Sequence, residues 1–108
     1  MKSGYQFIWT TFSDQEEAKR VSRILLERKL VACVTLLPGV TSLYEWEGKM
    51  QESSEVLAIY KTASDLYFKV EEAIVELHSY DTPEVVALDL DAGNPRYFAW
   101  LEKYLGAR

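Results

Sequence analysis

Two long strand-like runs, Ala32 to Tyr44 and Met50 to Thr62, face each other across Glu47-Gly48, and this hairpin constrains the chain more than any other feature. Gly48 supplies the positive φ that a tight turn needs. If both arms stay extended, each of about 13 residues spans roughly 44 Å at 3.4 Å per residue. A compact chain of 108 residues has a radius of gyration of roughly 13 Å and is only about 34 Å across. The hairpin must therefore bend or project beyond its own globule. Pro38-Gly39 marks the place for a bend or bulge, because Pro lacks a ladder N–H and Gly packs nothing.

The flanking segments read clearly. Tyr5 to Thr11 is rich in aromatic and β-branched residues and predicts a strand. Ser13 with Glu16 has the spacing of a capping box, and Ala18, Val21, Ile24 and Leu25 then recur at helical spacing to about Lys29. Ser64 is expected to cap a second helix whose apolar face is Leu66, Val70, Ala73, Ile74 and Leu77. A loop from His78 to Pro83 leads into a strand over Val85 to Leu90. Asn94-Pro95 then opens a last helix with Tyr97, Leu101 and Tyr104 on one side. The order β-α-β-β-α-β plus a C-terminal helix predicts an α+β, ferredoxin-like split βαβ fold. It is expected to be one domain over 1–108: a four-stranded antiparallel sheet with two helices on one face.

Those strands carry apolar residues on both faces. Tyr5, Phe7 and Trp9 oppose Ile8; Val56, Ala58 and Tyr60 oppose Leu57 and Ile59; Val85 and Ala87 oppose Val86, Leu88 and Leu90. Both faces must then be covered, and two crossover helices cover only one. The terminal helix can shield part of the other, but a second copy of the chain is the more economical cover. A homo-oligomer is expected.

Charge and cysteine content narrow the partners. Twelve Lys and Arg against 17 Asp and Glu leave a net charge of −5, which disfavours phosphate backbones and argues against nucleic acid. No run approaches the roughly 20 apolar residues of a membrane span. A single cysteine makes no internal disulfide, and no secretory core follows Met1-Lys2-Ser3-Gly4-Tyr5. The expectation is a soluble protein in a reducing compartment.

The sequence contains no GxSxG, Walker loop, GxGxxG, HExxH or CxxC. Cys33 lies in an apolar strand and reads as a small core residue more readily than as a reactive thiol. His78 is the only histidine. It either caps the negative end of its helix or lines a pocket with Tyr80, Asp81 and Glu84, a donor set suited to Cu, Ni or Zn. Lys61 reads equally as a snorkelling edge lysine or as an anion-binding charge. Tyr44 and Trp46 at the hairpin tip suit an interface anchor better than a stacking platform. Asp89-Leu90-Asp91 lacks the spacing of a calcium loop and reads as a strand end at solvent. Glu16, Glu17, Glu71 and Glu72 read as solvated helix faces.

Four segments together resemble the CutA divalent-cation-tolerance family. They are ERKLVACVTLLPGVTSLYEWEGK (Glu27 to Lys49), EVLAIYKT (Glu55 to Thr62), LHSYDTPEVVAL (Leu77 to Leu88) and YFAWL (Tyr97 to Leu101). The resemblance runs in order over nearly the whole chain. It implies a cytoplasmic homotrimer similar to the PII signalling proteins, with a cleft between subunits for a metal ion or small effector. It also implies tolerance of divalent metals with copper binding, Cu(II) or another divalent ion, and no enzymatic activity. Carried onto this sequence, the metal residue is His78 and the ligand cleft is Cys33, Tyr44, Trp46, Lys61, Tyr80 and Glu84. Some members have Cys at the position of Thr10 and a second His at that of Leu77. A trimeric scaffold anchoring another protein is the alternative, and an enzyme using Lys61 and His78 is the third reading.

Overall fold

The computed structural model describes residues 2–108, so Met1, the first residue of the segment expected to hold no secretory core, lies outside the described residues. The elements are β1 (Tyr5–Phe12), α1 (Gln15–Glu27), β2 (Cys33–Trp46), β3 (Lys49–Ala63), a 3₁₀ turn (Ser64–Leu66), α2 (Tyr67–Leu77), β4 (Val86–Asp89) and α3 (Pro95–Leu105). They form one four-stranded sheet in the order β2-β3-β1-β4, antiparallel at every pairing. This is the expected split βαβ arrangement.

The helix starts differ from expectation at two of three places. Asp14, not Ser13, caps α1: its carboxylate accepts the Glu17 N–H at 2.8 Å. A carboxylate at the positive helix end gains more than a hydroxyl does. Ser64 begins the 3₁₀ turn, and α2 follows without a side-chain cap. Asn94 caps α3 as expected, accepting the Arg96 N–H at 2.8 Å with Pro95 in the first turn.

The core lies between one sheet face and the inner sides of α1 and α2. Ile8, Phe12, Ala58 and Tyr60 from the sheet meet Val21, Leu25, Val70 and Ile74 from the helices, all essentially without solvent contact. The Tyr60 hydroxyl is buried with them, bonded to Ser22 Oγ at 2.9 Å. Against the other face, α3 covers one end only. Phe98 stacks on Tyr5 at 4.6 Å, and buried Ala63, partner of Tyr5 in the ladder, lies on that side. Beyond α3 the open face carries Phe7, Trp9, Leu57 and Ile59, partly exposed, with Val86 and Leu88 each 47% exposed.

The hairpin projects. The molecule measures 45 × 28 × 22 Å, and its radius of gyration, 14.6 Å, exceeds that of a compact chain of this length. At its tip Glu47 and Gly48 both have positive φ, 50° and 78°. That is the backbone of a two-residue hairpin turn whose twist matches the strands.

A bulge falls at Pro38-Gly39 as expected. Leu37 faces Leu57, and the next registered pair is Val40 with Glu55, so β2 holds one extra residue. The insertion reverses the parity of β2. Cys33, Thr35 and Leu37 therefore share a face with Ser42, Tyr44 and Trp46, opposite the odd-numbered residues of β3 from Lys61 to Lys49.

Candidate functional site

That shared face carries the site. A groove of about 830 Å³ runs along the projecting half of the hairpin. Tyr44, Trp46 and Glu55 wall it from the hairpin, and Tyr80, Asp81 and Glu84 wall it from the loop after α2. Tyr44 and Ser53 fix each other through their hydroxyls at 3.0 Å. Across the groove the Tyr80 hydroxyl donates to Glu55 Oε2 at 2.6 Å, pinning the loop to the sheet. Burial holds the Tyr80 phenol far above its ordinary ionisation range, and its bond to Glu55 and that carboxylate's charge add to the effect. Tyr80 is thus a neutral donor to an acidic partner.

Glu55 is only 8% exposed, and among the described residues it forms no ion pair. The groove lining contains no Lys, Arg or His. The site is acidic and aromatic.

Cys33 and Lys61 form a second cluster further along the same face. They oppose each other in the ladder, with Lys61 Nζ 3.9 Å from Cys33 Sγ and donating to Thr35 Oγ1. Lys61 is 9% exposed, lies 6.0 Å from the Phe7 ring centroid and forms no ion pair among the described residues. It does not snorkel to solvent, which settles one alternative. Cys33 is half-buried beneath α3 rather than in the core, and the Tyr97 phenol is pushed up by burial first and by Cys33 second. Six residues of extended strand separate Lys61 from Glu55, about 20 Å. Within one chain the two clusters are separate.

His78 belongs to neither. Its ring stacks on Phe12 at 4.5 Å, Nε2 donates to the Thr11 carbonyl at 2.8 Å, and Nδ1 accepts the Tyr80 N–H at 3.0 Å. The bonds fit one neutral tautomer, with the proton on Nε2. His78 therefore ties α2 to β1 and holds the Tyr80 loop in place; it does not cap its own helix through the ring. With both nitrogens engaged it offers no free donor to a metal. Among the described residues no three His, Cys, Asp or Glu side chains converge as ligands, so one chain alone does not fit a bound metal ion. Thr10 is buried on the core side of β1.

Of the expected cleft residues, Tyr44, Trp46, Tyr80 and Glu84 meet at the groove, Cys33 and Lys61 pair apart from it, and His78 sits behind it. Sequence reading missed Glu55, although its alternation with Leu57 and Ile59 places it on their face. It also misplaced Glu17. That carboxylate is buried, not solvated, and its Oε2 accepts the Ser79 N–H at 2.9 Å. Asp89 does lie at solvent, 3.2 Å from Lys2 Nζ.

Comparison with known proteins places this geometry. Residues 6–104 match the family described as CutA1 divalent ion tolerance protein. The chain belongs to the CutA1 family. A divalent-cation tolerance protein CutA of Thermococcus kodakarensis is 45% identical over 98 residues, covering 91% of this chain and 93% of its own. Mouse protein CutA is 41% identical over 95 residues, covering 88% of this chain but 54% of the mouse protein, so the chain spans about half that relative's length. The solved structure of the CutA described as periplasmic from Archaeoglobus fulgidus superimposes with a TM-score of 0.92 at 34% identity, covering 94% of this chain and 99% of that one. CutA membership connects the chain to divalent-cation tolerance. No helix among the described residues is long and apolar enough to cross a membrane.

Proposed function

We propose that this CutA chain serves divalent-cation tolerance without catalysis. It acts as a homotrimer resembling the PII proteins, whose subunits together shape a cleft for a metal ion or small effector. The observation that carries the reading is the open sheet face. Val86, Leu88, Trp9 and Ile59 form a partly exposed apolar strip that α3 leaves bare, and the hairpin beside it projects with Trp46 63% exposed. A strip of that kind is stable in water once another surface covers it. Copies packed face to face cover it and bring one chain's hairpin towards the Cys33-Lys61 cluster of the next.

The non-catalytic reading rests on placement. Lys61 lies on the open face and His78 packs on Phe12 at the core side, so the two proton-transfer candidates do not converge within a chain. A cytoplasmic location agrees with the unpaired Cys33. Copper(II) is the ion the family resemblance points to, with donors drawn from more than one subunit.

Calorimetry of purified protein with a copper(II) salt tests the metal reading. Saturable binding that weakens in Glu84→Ala supports it. No heat from the wild type removes copper and leaves an organic effector for the cleft. A scaffold role draws support from the exposed tip residues Leu43, Trp46 and Met50. It predicts a stoichiometric protein partner that Trp46→Ala releases.

A further inference from the structure

We propose that the hairpin groove recognises a small organic cation, an ammonium or methylated ammonium group. The cation sits between the Glu55 carboxylate and the rings of Tyr44, Trp46 and Tyr80. This rests on the reading of the groove as a binding site and gives its ligand a chemical class.

A carboxylate taken out of water needs a counter-charge or a full set of donors, because desolvation costs more than one neutral hydrogen bond returns. Glu55 is only 8% exposed, and among the described residues its one side-chain hydrogen bond, from Tyr80, reaches Oε2. No basic side chain lines the groove, while Asp81 and Glu84 add negative charge at its edge. The missing partner is a cation.

The walls select which kind. Three aromatic side chains line the groove, and aromatic rings attract a weakly hydrated ammonium while giving a strongly hydrated divalent ion little to exchange for its water. A divalent ion also asks for several converging oxygen ligands, and no such cluster exists among the described residues. A volume of about 830 Å³ is ample for a small organic molecule. The chain's net charge of −5 draws cations towards it.

Calorimetry of the full chain in its native assembly, titrated with choline chloride and separately with the uncharged carbon isostere of choline, tests this. The expected result is saturable choline binding, with the isostere about tenfold weaker or more. Glu55→Gln keeps the shape and an acceptor for Tyr80 while removing the charge, and should weaken choline about tenfold. Trp46→Leu should weaken it about fivefold. Absence of saturable choline binding overturns the proposal, as does equal binding of the isostere. If Glu55→Gln instead dissociates the assembly, the cation belongs to a side chain of a second copy and the ligand proposal falls. Native mass spectrometry of the wild type counts subunits separately, so loss of the trimer reading and loss of the cation reading are told apart.

Discussion

The two faces of the sheet use the same strands and end up in opposite conditions. Behind it, α1 and α2 bury Ile8, Phe12, Ala58 and Tyr60 completely, and His78 is tied down there by Thr11 and Tyr80. In front, α3 covers the Tyr5 end and leaves Val86 and Leu88 half exposed, while the hairpin carries Tyr44 and Trp46 outward. The back face explains why the chain folds. The front face carries the groove, the buried lysine and the unpaired carboxylate. An antiparallel pair of strands standing alone is marginal in water, so a hairpin this long is stable only with support. That support comes from the loop Tyr80 clamps to Glu55 and, in the proposed assembly, from other copies.

The contrast predicts that substitutions behind the sheet cost folding, whereas those in front cost association. Phe12→Ala should have the largest effect on stability, about 3–5 kcal/mol in chemical denaturation, because it opens a cavity and removes the ring under His78. A loss below about 1 kcal/mol would show that the back face is not the stabilising core. Val86→Asp should leave far-ultraviolet circular dichroism of the chain intact yet release single chains in sedimentation velocity, since a charge at a buried interface centre goes unpaired. An unchanged sedimentation coefficient would place the interface elsewhere.

Tyr60 sharpens the comparison through pH. Burial raises its phenol from 10.0 to about 12, partly offset by the Ser22 bond. Its folded pKa is above its unfolded one, so the neutral phenol contributes fully below about pH 10. Between pH 10 and about 12 the unfolded chain ionises first and that contribution is lost, about 2–3 kcal/mol. Tyr60→Phe should flatten this part of the alkaline stability curve, and an identical curve would contradict the assignment. The smallest effect expected is for Asp14→Ala, about 1 kcal/mol from the lost α1 cap, with assembly unchanged.

The back face was legible in the sequence because periodicity reports it directly. Residues 18, 21, 24 and 25, and 66, 70, 73, 74 and 77, recur at helical spacing, and the order of elements fixed the topology. The caps were less legible, because Ser13 and Asp14 are adjacent and both suit the role; geometry chose the charged one. The front face was harder. Cys33 and Tyr44 differ in parity, and only the single extra residue at Pro38-Gly39 puts them on one face. The break was visible in the sequence, but its count of residues was not. His78 stood out as the sole histidine, yet no pattern could show that both of its nitrogens are taken by backbone groups distant or local in the chain. Glu17 and Glu55 look like any surface glutamates until the loop after α2 folds over them.

The central claim is that the bare front face is completed by further copies of the same chain. Light scattering of the wild type at micromolar concentration tests it most directly. The account predicts a particle of three chains that persists on dilution. A well-folded particle with the mass of one chain would contradict it.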